Sequence, residues 1–165
     1  MANKDLANGF SVADGVPYYA PTKWPLTASQ TLEKKDMVIL DSAGRISIAT
    51  YSSASVCGVA YTPCTSSSAG DDVWVFDNPH QQFEGQCSGS GLLAMPYTCN
   101  TSTSCYDIEG TTKIMEVNED SSTYDIIKVV QFGTDPASGA RSAVGANQRV
   151  VFIVNPAKHQ LGYAA

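Results

Sequence analysis

The chain has 165 residues and a formal charge of −6, with 43% apolar and 16% charged residues, which is typical of one globular domain. Serine and threonine together number 31. Because hydroxylated and β-branched side chains disfavour helices, this composition predicts an all-β protein. No apolar run approaches the roughly 20 residues that cross a bilayer, and only 10 basic residues are spread along the chain. We therefore expect neither a membrane nor a nucleic acid as partner.

Residues 1–30 show the period of neither a strand nor a helix. Prolines recur every four residues from Pro17 to Pro25, and each fixes its own φ and extends the residue before it. Aromatic side chains, which need an apolar surface, lie in the same segment: Phe10, Tyr18, Tyr19 and Trp24. We predict an extended N-terminal arm whose aromatic residues lie on a neighbouring subunit. The alternative is that the arm folds back over its own domain.

Residues 31–165 are predicted to form a single β domain, because short apolar runs alternate with turn residues. The first two runs read as a hairpin that turns at Gly44. The glycine-, serine- and threonine-rich stretch around 87–108 is predicted to be a loop-rich insertion. The architecture expected is an antiparallel β-barrel or β-sandwich with long loops. Predicted strands cover 36–40, 45–50, 55–62, 72–77, 81–86, 112–117, 124–132 and 148–154.

Alternation along these strands predicts which side chains point into the core. The run 72–77 is apolar on both faces in its centre, which favours a position inside a sheet rather than at its edge. The predicted core residues are Val38, Ile46, Val59, Trp74, Phe83, Ile127 and Phe152.

Neither the cysteines nor the histidines form a recognisable reactive or metal-binding pattern. The five cysteines cannot all pair within one chain, and neither His80 nor His159 has the spacing of a zinc ligand. Cys99 and Cys105 flank a short polar stretch that a disulfide could close, although the missing secretory signal indicates synthesis in a reducing cytosol. No nucleophile elbow, phosphate loop or metalloprotease motif occurs. We expect no enzymatic activity, no metal site and no cofactor.

Charge is unevenly distributed along the chain. Residues 1–45 carry five acids and five bases, residues 71–125 carry ten acids and one base, and residues 126–165 carry one acid and four bases. The three sums are 0, −9 and +3. The simplest interpretation is that the acidic middle faces water, which leaves the neutral arm and the basic tail for contact with another protein.

The order of several short motifs resembles the head decoration, or cement, proteins of tailed bacteriophages. An N-terminal Asn8-Gly9-Phe10 is also similar to the opening of such proteins, whereas the cysteine-bearing insertion departs from them. The motifs span nearly the whole chain: Asp36-Met37-Val38-Ile39-Leu40, Gly44-Arg45-Ile46-Ser47, Gly58-Val59-Ala60, Asp77-Asn78-Pro79-His80-Gln81-Gln82-Phe83-Glu84-Gly85-Gln86, Val144-Gly145-Ala146-Asn147 and Asn155-Pro156-Ala157-Lys158-His159-Gln160-Leu161-Gly162.

The resemblance implies a structural virion protein made in the host bacterial cytoplasm and bound to the outer surface of the capsid. Its partners would be the major capsid protein and other copies of itself, as a trimer or a dimer. Phe10, Tyr18, Tyr19 and Trp24 would then be the capsid-binding residues, since buried aromatic side chains contribute much of the energy of typical interfaces.

Three other functions are alternatives to decoration, of which a secreted disulfide-bonded module is disfavoured by the missing signal and the odd number of cysteines. A glycan-binding or adhesive β-sandwich of a virion would expose aromatic residues beside acids or amides, and Tyr97, Tyr106 and Asp107 are candidates. A small hydrolase would require a catalytic arrangement, for which the sequence offers only scattered Asp, His and Ser residues.

Overall fold

The computed structural model describes residues 8–88, 105–110, 114–118, 124–136 and 138–161. In these residues the fold is almost entirely β, as the composition predicts, with one short 3₁₀ helix at Pro156–Lys158. The strands are β1 Ser11–Val12, β2 Thr22–Pro25, β3 Thr31–Leu32, β4 Met37–Leu40, β5 Ile46–Ile48, β6 Gly58–Ala60, β7 Cys64–Thr65, β8 Asp72–Phe76, β9 Phe83–Gln86, β10 Cys105–Glu109, β11 Glu116–Asn118, β12 Ile127–Phe132 and β13 Arg149–Val154.

The strands form two large antiparallel sheets and one small one. The larger sheet has six strands in the order β1-β9-β13-β12-β10-β11, and the other large sheet has five in the order β2-β8-β6-β4-β5. β3 and β7 form a separate two-stranded sheet. As the apolar run 72–77 predicts, β8 lies inside its sheet, between β2 and β6.

The five-stranded sheet is buried on both faces. Val59 and Phe76 belong to a core shared with Phe83 and Phe152 of the six-stranded sheet. Their chain neighbours Ala60 and Val75 belong to a second core, which also contains Leu26 and Leu32. Because successive side chains of a strand point to opposite faces, the two cores lie on the two sides of this sheet. The apolar runs of the sequence therefore mark a doubly covered sheet.

The predicted hairpin at Gly44 is present and closes by local hydrogen bonds. Gly44 has a φ of +74°, which a residue without a Cβ adopts at little cost. Its N–H donates to the Asp41 carbonyl at 3.0 Å. The Asp41 Oδ1 atom accepts from the N–H groups of Ala43 at 2.8 Å and Arg45 at 2.9 Å. These bonds to the carboxylate, that of Arg45 foremost, lower the pKa of Asp41.

The expectation that the N-terminal segment lies away from its own domain is wrong for residues 8–30. β1 pairs with β9, and β2 pairs with β8 at the edge of the five-stranded sheet. The prolines do extend this segment, but edge strands accept an extended, proline-bearing chain, and the apolar surface that its aromatic side chains need is supplied by the two sheets.

Two further details of the sequence prediction are corrected. Trp74 was assigned to the core, but 42% of it is exposed, because the shared core reaches Phe76 and not the position two residues earlier on the same face of β8. Part of the insertion predicted around 87–108 is a strand, since β10 pairs with both β11 and β12. The other six predicted core residues are buried.

The difference between Trp74 and the buried aromatic residues can be measured. Replacing Phe152 by Ala removes a fully buried ring and is expected to lower the free energy of unfolding by about 3–5 kcal/mol. Trp74→Ala is expected to cost about 1 kcal/mol or less, because surface substitutions have small effects. Urea unfolding curves of the two variants test this. Equal losses would contradict the placement of Trp74.

Candidate docking surface

The four predicted binding residues do not form one surface. Phe10 is buried in the shared core, where its ring meets the Phe152 ring edge-on at 5.0 Å between centroids. The ring occupies space that only glycine leaves open at position 85, since a Cβ there would lie 2.6 Å from the Phe10 Cδ1 atom. The expectation that Phe10 is presented to a partner is therefore wrong for the folded chain, because the Phe10 ring packs inside the core of its own domain.

Tyr19 and Trp24 are half-buried and serve mainly to attach the N-terminal segment to the domain. The backbone N–H of Tyr19 donates to the Oε1 atom of buried Gln81 at 3.0 Å, and the Gln81 Nε2 atom donates to the Pro17 carbonyl at 3.3 Å. Trp24 packs against the second core from β2. Of the four predicted residues, Tyr18 alone is mostly exposed, at 60%.

Asp77 fastens β2 to the rest of the five-stranded sheet. Its buried carboxylate accepts a hydrogen bond from Thr22 Oγ1 on one oxygen and from Trp24 Nε1 on the other, both at 2.9 Å. Hydrogen bonds to a charged acceptor are stronger than neutral ones. The hydrogen bond to Trp24 Nε1 fixes the position of the tryptophan ring on the second core. It thereby holds β2 in place on the domain.

The motif 77–86, one of those on whose order the resemblance rests, is a part of the domain that holds the N-terminal segment. Asp77 and Gln81 bond to it through their side chains, Gly85 leaves space for the Phe10 ring, and Glu84 lies opposite Ser11 in the sheet. Sequence reasoning identified the motif without its role, because its contacts reach residues more than 50 positions away.

Three exposed aromatic side chains lie near one another at the edge of the shared core. The Tyr18 and Tyr61 rings both meet the Phe76 ring edge-on, at 5.4 and 5.1 Å between centroids. Trp74 lies beside Tyr61, whose N–H donates to the Trp74 carbonyl at 2.7 Å. We call Tyr18, Tyr61, Trp74 and the underlying Phe76 the aromatic surface. Its members come from the N-terminal segment, the end of β6 and β8.

A groove of about 210 Å³ opens beside the aromatic surface. Its walls are Tyr18, Tyr61 and Phe76, and Lys34 and Lys35 are the charged side chains among the described residues that line it. The Lys34 ammonium lies 5.3 Å from the centre of the Tyr61 ring, within the range of a cation–π contact. Burial, together with the charges of Lys34 and Arg149, lowers the pKa of Lys35.

The sequence contained only a partial signal for this groove. The sequence predicts that Tyr61 and Trp74 are strand residues, and the two lysines enter the prediction only through the charge distribution. Alternation placed Trp74 inward with Phe76 because the pattern carries no information about where the facing sheet ends. The one signal for the groove in the sequence is Lys34-Lys35, a pair of adjacent cations in a chain of net charge −6.

Burial shifts the pKa of the Cys57 thiol and of the His159 imidazole away from their ordinary values. Burial, with a smaller contribution from the Asp77 charge, raises the pKa of the Cys57 thiol to about 12, so it is protonated at neutral pH. Burial also raises the pKa of Cys64. For His159, burial lowers the pKa, and the charge of Asp77 opposes this effect.

Several sequence predictions concern residues that the structure does not describe in full. Tyr97 and Cys99 lie outside the described residues, whereas Cys105, Tyr106 and Asp107 belong to β10. Within the described ranges, no group of three or more His, Cys, Asp or Glu side chains is placed to hold a metal ion. The same part of the chain contains no helix long and apolar enough to span a membrane.

The role of Asp77 can be tested by comparing it with a neighbouring carboxylate. Asp77→Ala removes the acceptor of two side-chain donors and is expected to lower the free energy of unfolding by about 1–3 kcal/mol. Asp72→Ala is the matched control, because Asp72 pairs with Lys23 between the same two strands at 2.5 Å but is half exposed. An exposed pair contributes about 1 kcal/mol or less. Urea unfolding measures both, and equal losses would contradict the proposed attachment.

The lowered pKa of His159 predicts a pH dependence of stability. The unfolded histidine binds a proton near its ordinary pKa of 6.5 while the folded one resists it, so the stabilisation is complete above that pH and decreases as the pH falls below it. Urea unfolding at about pH 7.5 and about pH 5.5 should show this decrease. His159→Gln should reduce it, whereas His80→Gln should leave it unchanged. An equally steep decrease in His159→Gln would show that another group is responsible.

No family model matches this sequence, and no curated protein matches it either. Its function is therefore argued from the aromatic surface, the groove and the motif order described above.

Proposed function

We propose that this chain is a structural virion protein that binds the outside of a tailed-phage capsid, joins neighbouring major capsid proteins and thereby stabilises the head. The observation that carries the proposal is the aromatic surface. Tyr18 and Tyr61 are 60% and 37% exposed and both contact the Phe76 ring, and Trp74, 42% exposed, lies on the neighbouring strand beside Tyr61. Aromatic residues are the typical energetic centres of protein interfaces, and a group of them on a small domain favours a function by contact.

The motif order supports the same function through the structure that it builds. The motif 77–86 holds the N-terminal segment on the domain through Asp77, Gln81 and Gly85, and that segment presents Tyr18 beside Tyr61. One motif of the set whose order resembles the decoration proteins is thus in one arrangement with the exposed Tyr18 and Tyr61. A rigid presentation lowers the entropy lost when a surface is bound.

Stabilising a shell requires many copies of a modest interface rather than one strong site. If copies also touch one another around a symmetry axis, each bound copy raises the effective concentration of the next. The acidic middle of the chain would then face solvent, which keeps the decorated particle soluble.

The test is binding to heads that lack this chain, prepared from the phage that encodes it. The purified protein is expected to produce ordered density on the outer surface in an electron-microscopic reconstruction and to raise the temperature at which heads release DNA. Trp74→Ala should reduce occupancy at a fixed protein concentration by about fivefold to tenfold, since an interfacial aromatic residue contributes about 1 kcal/mol or more.

The matched control is Tyr51→Ala, because Tyr51 is 70% exposed and is not a member of the aromatic surface. Its occupancy should equal that of the unmodified protein. Failure of the unmodified protein to bind heads, together with a specific response on a glycan array, would overturn the decoration proposal and support the adhesive alternative.

A further inference from the structure

The groove beside the aromatic surface has a strand edge along one wall, where the Phe10 N–H already donates to the Lys35 carbonyl at 2.9 Å and Val12 carries the next outward-facing main-chain groups. β1 is the outermost strand of the six-stranded sheet, and Val12 lines the groove. The Ala13 N–H donates to the Gln82 carbonyl at 3.1 Å, so Ala13 directs its main-chain groups toward β9. In an antiparallel ladder, adjacent residues direct their N–H and C=O groups to opposite sides, so those of Val12 point away from β9. Val12 therefore offers an N–H and a C=O to a strand that enters the groove.

The walls of the groove suit one inserted apolar side chain. Phe10, Val59 and Phe76 form apolar lining, with the edges of Tyr18 and Tyr61 on either side. The volume of about 210 Å³ is below the roughly 300–1,000 Å³ of small-molecule sites. A side chain anchored by its own backbone fits such a space better than a free small molecule does.

The charge of the groove favours an acidic partner. Among the described residues, neither Lys34 nor Lys35 forms an ion pair with a carboxylate, although the chain as a whole is acidic. The Lys34 ammonium lies over the face of the Tyr61 ring. Two neighbouring cations beside an apolar cleft attract a carboxylate, and desolvation of Lys35 strengthens that attraction.

We propose that the groove binds an extended peptide segment by strand addition along Val12, in which one large apolar side chain enters between Tyr18 and Tyr61 and an adjacent Asp or Glu contacts Lys34 and Lys35. The identification of this segment as part of the major capsid protein rests on the proposed function. Strand addition supplies affinity through main-chain hydrogen bonds. Specificity comes from the groove, which takes the apolar side chain, and from the two lysines, which contact the adjacent acid.

A sugar is a poorer occupant of this groove than a peptide. The ten lining residues include no carboxylate and no amide side chain to hydrogen-bond a ring of hydroxyl groups. Lys34 also lies over the Tyr61 ring, on which a sugar would have to stack. The sheet edge at Val12 has no role in sugar binding, whereas a peptide uses it directly.

The experiment measures the protein concentration that gives half-occupancy of heads lacking this chain. Lys34→Glu and Tyr18→Ala are each expected to raise it about tenfold, which corresponds to about 1.4 kcal/mol. Lys158→Glu and Tyr51→Ala are the matched controls, one a charge reversal and the other a loss of an exposed ring outside the groove, and should leave it unchanged. Tyr18 and Lys34 are outside the two cores, and thermal unfolding should confirm that their variants fold.

A photo-crosslinking residue at position 18 then identifies the occupant. The expected crosslink joins the capsid protein within a segment that has an acidic residue next to an aromatic or aliphatic one, and reversing that acid to Lys should restore binding of Lys34→Glu. If the unmodified protein binds heads while the groove variants bind as well as their controls, the groove inference is wrong and decoration still stands. A crosslink to a second copy of this chain, or to a segment without an acid, also overturns it. If the unmodified protein does not bind heads, decoration itself fails.

Discussion

The fold depends on covering a sheet that is apolar on both faces. Val59 and Phe76 point to one side of the five-stranded sheet, and Ala60 and Val75 point to the other. Apolar side chains exposed on either face would forfeit about 25 cal/mol for each Å² left in water. One face is covered by the six-stranded sheet. The other is covered by short pieces of chain that carry Leu26 and Leu32, and this is why the segment from residue 22 to residue 32 is part of the domain.

The path of the N-terminal segment follows from that requirement and in turn creates the exposed surface. Phe10 enters the shared core where Gly85 leaves space, and Asp77 holds Trp24 over the second core. Between these two attachments the chain crosses the edge of the sandwich, and Tyr18 is left outside against Phe76. The same contacts that stabilise the domain thus place an aromatic ring where a partner can reach it.

The groove derives its chemistry from the meeting of three elements that are distant in sequence. Val12 contributes a strand edge, Lys34 and Lys35 contribute charge, and Tyr61 contributes a ring. None of the three is informative alone: two-residue strands, lysine pairs and surface tyrosines are common. Together they give the proposed peptide site a strand edge, two cations and an apolar cleft. By contrast, the Cys57 thiol is protonated and buried, and it contributes to the packing of the second core.

The sequence by itself determined the all-β class, the hairpin at Gly44 and the inward direction of most core residues, because these follow from periods of two and from turn residues that act over a few positions. Only the tertiary structure decided that Phe10 is core, that Trp74 is exposed and that Tyr18 stands beside Tyr61. The alternation along a strand indicates whether a side chain is covered by other residues or exposed. It does not indicate which segment of the chain covers it. In this chain the layers come from residues more than 50 positions apart, such as Thr22 and Asp77, and their pairing is a property of the assembled domain.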